Sequence, residues 1–287
     1  RAKLIAFVSL IIIISVLLFT GISLDMFQTN MTEMVKLNNG NNAKMLSDKI
    51  EGELRNTAEQ LRLLSSLSHK GAAVEKAYFL PEKDFFLIAN YVSLDEEPTA
   101  VYALEKKLER FGLQRTTLLS YLKFSADDAK EIRTGKFIIR ALSSPRQRIW
   151  LLVVPVKKQG TQAVAAIMNG NSLAALLAAV RTKGVTTSLY DAMLVDADKK
   201  LVAHSDSHHF QFGQDVSKYH IVEIAFKNFT KQVLTGVQRY TYNGVSEYGS
   251  YRKLGLGSAG IITTVNEDVA LAGVRWARLL TIIIALL

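Results

Sequence analysis

The 287-residue chain carries 35 basic and 26 acidic residues, a formal charge of +9, and no cysteine. That length allows one large or two ordinary domains, and the missing cysteine excludes disulfides and Cys-ligated metals. Setting aside Arg1, Lys3, Arg275 and Arg278 at the two ends leaves 31 basic against 26 acidic residues, with no dense basic strip and no interleaved aromatics. This is a mixed solvated surface and argues against nucleic acid as a partner.

Leu4 to Leu24 is an uncharged run of 21 residues preceded by Arg1 and Lys3. About 20 apolar residues at roughly 1.5 Å each cross a hydrocarbon core about 30 Å thick. A signal peptide has an apolar stretch of only about 7–15 residues and a small-residue cleavage site, neither of which fits. The spacing therefore predicts a cytoplasmic stub and first transmembrane helix over 1–24. At the other end Leu279 to Leu287 is again uncharged and follows Trp276 and Arg278, residues suited to the interfacial belt. It reads as the first part of a second span. The basic N-terminus then places residues 25–274 outside the cytoplasm, anchored in the inner membrane.

Between the two ends the elements follow in order. Met31, Met34, Leu46, Ile50, Leu54, Leu61 and Leu64 recur at helical steps, so residues 25–68 read as one long helix. The polar run Asn38 to Asn42 interrupts this stripe and marks a kink, a loose dimer contact or a break. Phe85 to Val92 is strand-like. Pro98 opens a helical stretch through Val101, Leu104, Leu108 and Phe111, with Gly112 as its stop. A short helix at Ala126 to Arg133 precedes three β-rich runs, Phe137 to Leu142, Arg148 to Val156 and Ala163 to Asn169. Lys157 to Gly160 is the hairpin turn between the last two, and Ser172 can cap a helix from Leu173 to Val180. A second cycle then begins: a strand over Ser188 to Val195, an Asp-rich turn over Asp196 to Lys200, and a returning strand to His204. A helix over Ile221 to Val233 leads to a hairpin, Val237 to Tyr242 and Glu247 to Leu254, around Asn243-Gly244. Ser258 to Val265 is the last strand, and Asn266 can cap the helix that leads to the second span. The fold class is α+β.

The stretch AMLVDADKKLVAHSD, the segment FGQDVS and the closing run YTYNGVSEYGSYRKLGLGSAGIITTVNEDVAL carry a family resemblance. The chain resembles the double Cache extracytoplasmic sensor domains, two PAS-like units in tandem between two membrane spans. The resemblance implies a membrane-distal unit over 69–183, a membrane-proximal unit over 184–268, and an exit helix with the start of the second span over 269–287. It implies a homodimer with the long helix at its interface. It also implies an output, a nucleotide cyclase, a chemotaxis helix bundle or a histidine kinase, beyond the residues shown. The first unit lacks the Arg-and-aromatic pattern that binds amino acids in some members, which counts against such a ligand.

For the ligand, alternation puts Tyr240 and Tyr242 on one face of their strand, and Glu247 and Tyr251 on one face of the next. Tyr91, Tyr121, Arg140 and Trp150 are their counterparts in the first unit. An aromatic-lined pocket with one or two charges suits a small polar metabolite. His204, Asp206, His208 and His209 have the side chains of a zinc or nickel site but not the fixed spacing of one, and loop chemistry accounts for them better. Asp191, Asp196 and Asp198 sit at a turn, where Asp is favoured for its own backbone bonding. No hydrolase, zincin, Walker or dinucleotide motif occurs, and nothing calls for a cofactor. The expected function is a receptor that binds a small molecule, or a periplasmic binding protein, and signals through the second span. The alternative is a membrane-anchored scaffold or partner-binding accessory module.

Overall fold

A computed structural model describes residues 2–67, 85–142, 147–157, 160–178, 190–206 and 210–286. Helix α1, Ala2–Leu67, runs unbroken for 66 residues, about 100 Å at 1.5 Å per residue. Its N-terminal part has a window of mean hydropathy 2.0 with none of it buried, and it is the one helix among the described residues long and apolar enough to cross a membrane. The helix continues through the Asn38–Asn42 run without a break. Asn39 is instead fully buried against the body of the protein, which compensates the weak helix propensity of the run.

Two five-stranded antiparallel sheets are strung along α1. The first is built from β1 (Phe85–Tyr91), β2 (Ala100–Ala103), β3 (Ile138–Leu142), β4 (Ile149–Pro155) and β5 (Ala163–Asn169), in the order β2-β1-β5-β4-β3. The second uses β6 (Tyr190–Val195), β7 (Leu201–His204), β8 (Thr235–Tyr242), β9 (Val245–Lys253) and β10 (Gly260–Asn266), in the order β7-β6-β10-β9-β8. Each sheet thus repeats one connectivity, in which the first and last strands pair at the centre.

Between β2 and β3 lie α2 (Glu105–Phe111), α3 (Arg115–Ser120) and α4 (Ala126–Arg133). Here the sequence expectation is corrected, because Pro98 opens no helix: Ala100 to Ala103 pairs along β1, Leu87 opposite Ala103, and the helix starts only at Glu105. Val101 and Tyr102 are β-formers beside an open strand edge, and that pairing outweighs their helical spacing. Gly112 does stop the helix, at φ 63°, as a left-handed C-cap.

Helix α5 spans Asn171–Ala178 and α6 spans His220–Thr230. Ser172 lies inside the first turn of α5 and not before it; the Asn171 N–H donates to Asn169 Oδ1. Asn243 (φ 48°) and Gly244 (φ 80°) form the expected tight hairpin between β8 and β9. Asn266 Oδ1 accepts from the Asp268 and Val269 N–H groups and starts α7 (Glu267–Ala270), which continues past Leu271 as α8 (Ala272–Leu286). Lys158, Gln159, Ser188, His208 and His209, with Val180, lie outside the described residues.

The core follows α1. Leu46, Ile50, Leu54, Ala58 and Leu61 are buried against Ile88, Ile139, Leu152 and Ala166 of the first sheet and Ala192, Leu194 and Ile261 of the second. Each fully buried Leu or Ile contributes about 1.5–3 kcal/mol, so this stripe is what holds the long helix to both sheets. The opposite face of the first sheet packs on α2 to α4 through Leu108, Leu118, Leu122, Ala129 and Ile132.

Candidate functional site

The first sheet separates the residues expected to share a pocket. Tyr91 and Tyr121 lie on the face covered by α2 to α4. The Tyr91 hydroxyl donates to the Leu122 carbonyl at 3.2 Å, its ring meets Phe124 edge-on, and burial raises its pKa. Arg140 turns to the same face, where its Nη2 donates to both carboxylate oxygens of Asp128, at 2.9 and 3.1 Å. Asp128 is also the capping-box residue of α4, so one carboxylate caps the helix and fixes the arginine. Trp150 faces the other way, into the α1 side of the sheet, with its Nε1–H donated to the Asn169 carbonyl.

On that α1 side lies a groove of about 410 Å³, floored by Phe85, Trp150 and Met168 and walled by α1 and α5. The α1 wall presents Glu53, Asn56, Thr57, Glu59 and Gln60; α5 presents Ser172, Leu173 and Leu176. The volume falls in the range of small-molecule sites, and so does the mixture of aromatic floor and polar rim. Sequence reasoning missed this wall. Residues 53, 56, 57 and 60 repeat at helical spacing beside the apolar stripe Leu46 to Leu61, a second stripe legible only once polar positions are phased as carefully as apolar ones.

In the second unit Tyr240, Tyr242 and Tyr251 gather on one face of the sheet against α6. Tyr240 hydrogen-bonds to the Glu247 carboxylate opposite it in the ladder, and burial together with Glu247 raises its pKa. Tyr242 stacks on Tyr219 at 4.8 Å between centroids, and Asn228 Nδ2 donates to the Tyr251 hydroxyl at 2.5 Å. Tyr219 and Asn228 were not anticipated. This cluster is filled by its own side chains: a Cβ on Gly236 would strike the Tyr251 ring. His204 is buried, its ring stacked 3.9 Å from Phe210 and its Nδ1 accepting the Asp206 N–H. Among the described residues no group of His, Asp and Glu side chains has the arrangement of a metal site.

Two features tie the units and the exit helix together. Asp196, in the β6–β7 turn, is buried and accepts the Asp198 and Lys200 N–H groups on Oδ1 and the Ala141 N–H of β3 on Oδ2. Nearby the Phe137 N–H donates to the Leu256 carbonyl at 2.6 Å, so two loops of the second unit cover the β3 edge of the first. At the other end Tyr248 donates to Glu267 Oε1 at 3.0 Å, Arg239 donates to Glu267 Oε2 at 2.7 Å, and Val35 of α1 packs with Leu271 and Val274. Helix α7 and the start of α8 together therefore touch β8, β9 and α1.

No protein-family model matches the chain, and no curated protein matches it. Solved structures do. The ligand-binding domain of the Pseudomonas aeruginosa PAO1 amino acid chemoreceptor PctB, in complex with L-Arg, matches with a TM-score of 0.53 at 14% identity, over 84% of this chain and 98% of that one. The sensory domain of the Campylobacter jejuni chemoreceptor Tlp3 matches with a TM-score of 0.51 at 13% identity, over 84% and 97%. An extracellular domain assigned to a histidine kinase matches with a TM-score of 0.52 at 10% identity, over 84% and 99%. The chain thus has the fold of the extracellular sensory domains of chemoreceptors and histidine kinases: a long helix carrying two antiparallel five-stranded sheets.

Proposed function

We propose that this chain is the sensory region of a signal-transduction receptor, anchored in the inner membrane, which binds a small molecule outside the cytoplasm and passes the event through its exit helix to an output domain. The observation that carries this reading is the path of the helices. One helix runs from an apolar segment along both sheets, and the exit helix starts on the last strand and packs back against that same helix at Val35. A repacking of either sheet on α1 therefore reaches α8 directly. The sensory domains that share the fold support a small molecule as the stimulus. Exposed Met34, Leu37 and Met45 on α1 support association of two copies along that helix.

Binding transmits only if the ligand prefers one helix arrangement over another. The test is a thermal-shift screen of the chain in detergent against small metabolites. A ligand at about 100 times its dissociation constant adds about 2.7 kcal/mol. A reproducible rise with one chemical class is the expected result. A flat screen on folded protein overturns the reading in favour of a scaffold or partner-binding module.

A further inference from the structure

We infer that the groove between α1 and α5 takes an organic ammonium cation, held by Glu53 and Glu59 over the floor that includes Trp150. The inference rests on the sensor reading above and adds the charge class of the ligand. The chain as a whole is basic, at +9, yet the described lining of the groove has two carboxylates and no lysine, arginine or histidine. Neither glutamate makes an ion pair among the described residues. Two of the basic residues near them on α1 are engaged elsewhere: Arg55 pairs with Glu51 at 3.8 Å, and Arg62 donates its Nε–H to the Pro155 carbonyl and lies over the Phe137 ring.

An anionic ligand here would face two carboxylates that have no ion-pair partner among the described residues, whereas a cation is attracted by both. Phe85, Trp150 and Met168 give the floor an apolar surface for the carbon atoms of such a ligand, and Asn56 and Gln60 on the rim can take its hydroxyl or second amine. The site lies on the opposite side of the sheet from Tyr91, Tyr121 and Arg140, so it is separate from the helix-covered face of the first unit.

The test uses Trp150 fluorescence in the detergent-solubilised chain, with Trp276→Phe removing the second of the two tryptophans. Choline, putrescine and phenethylamine are titrated beside 3,3-dimethylbutan-1-ol, the neutral isostere of choline, and succinate. The expected result is a saturable change with at least one amine, weakened about tenfold or more in E53Q/E59Q, and none with the alcohol. Equal response to the alcohol, or an unaffected double variant, overturns the cation assignment. Saturation by succinate alone overturns it and leaves the sensor reading intact. A metabolite that raises the melting temperature without touching Trp150 fluorescence removes the groove as the site, while no thermal shift with any compound removes the sensor reading itself.

Discussion

Asp196 gives a prediction whose size can be worked out. Its carboxyl is buried in the β6–β7 turn, and burial raises its pKa from 3.8 to about 6 against the pull of three backbone N–H donors. The charges around it are Asp198, Lys199 and Lys200 on its own turn, Arg140 of β3, which lies 3.7 Å from Asp198, and Asp128 of α4 behind that arginine. Because the folded pKa lies above the unfolded one, the folded state holds the proton more tightly. The stabilisation is complete below about pH 3.8 and is lost as pH rises through about 6. A shift of about two units at 1.36 kcal/mol each makes the full swing about 3 kcal/mol. Urea unfolding of the chain and of Asp196→Asn, measured from pH 4 to pH 7, isolates this group from the other carboxylates. Over that window the difference between the two proteins should move by about 2.4 kcal/mol in favour of Asp196 as pH falls, most of the full swing. Parallel stability curves, with a constant difference, would refute the claim that burial raises the pKa of this carboxyl in the folded state.

Three further outcomes are expected. Asn39 donates Nδ2–H to the Tyr248 carbonyl at 2.8 Å and to the Thr263 carbonyl at 3.3 Å, and accepts the Thr263 hydroxyl at 2.6 Å. Asn39→Ala should cost about 2–3 kcal/mol in urea unfolding, at about 1 kcal/mol per bond, and a cost near zero would show that α1 is not fixed at this point. Gly257 lies against β3 so closely that an added Cβ would sit 2.5 Å from the Phe137 carbonyl oxygen, so Gly257→Ala should lower the melting temperature by several degrees, while an unchanged value would mean that the loop is free to move away. One residue inserted between Val265 and Trp276 turns the following helix by about 100°. It should leave a ligand-induced thermal shift in place while abolishing ligand-dependent output; retained output would sink the helix-relay mechanism.

Much of the fold was legible in the sequence because its signals are local. The tight turn at Asn243-Gly244, the capping residue Asn266 and the apolar stripe Leu46 to Leu61 each dictate a conformation within a few residues. The errors arose where a distant partner decided. Val101 and Tyr102 became a strand because β1 offered an edge, and Asn39 stayed helical because the Tyr248 and Thr263 carbonyls, over 200 residues away, accept its Nδ2–H bonds. The site was harder still. Strand alternation put Tyr240 with Tyr242 and Glu247 with Tyr251, and the three tyrosines share one cluster, but nothing in a single strand tells which face of the first sheet carries α1, so Trp150 was grouped with residues on the opposite side. Glu53, Asn56 and Gln60 sit on a helix read for its apolar stripe alone, and only the packing of α5 turns them into a wall.

The relay between α1 and α8 is the central claim, and the absence of native cysteine makes it directly measurable. Spin labels at Gln28→Cys on α1 and Ala272→Cys on α8, both exposed positions, report the distance between the two helices near the membrane. With a compound that raises the melting temperature present at saturation, the account predicts a shift of about 1–2 Å in the mean distance, the scale of helix movements in switching proteins. An identical distance distribution with and without the bound compound would contradict it.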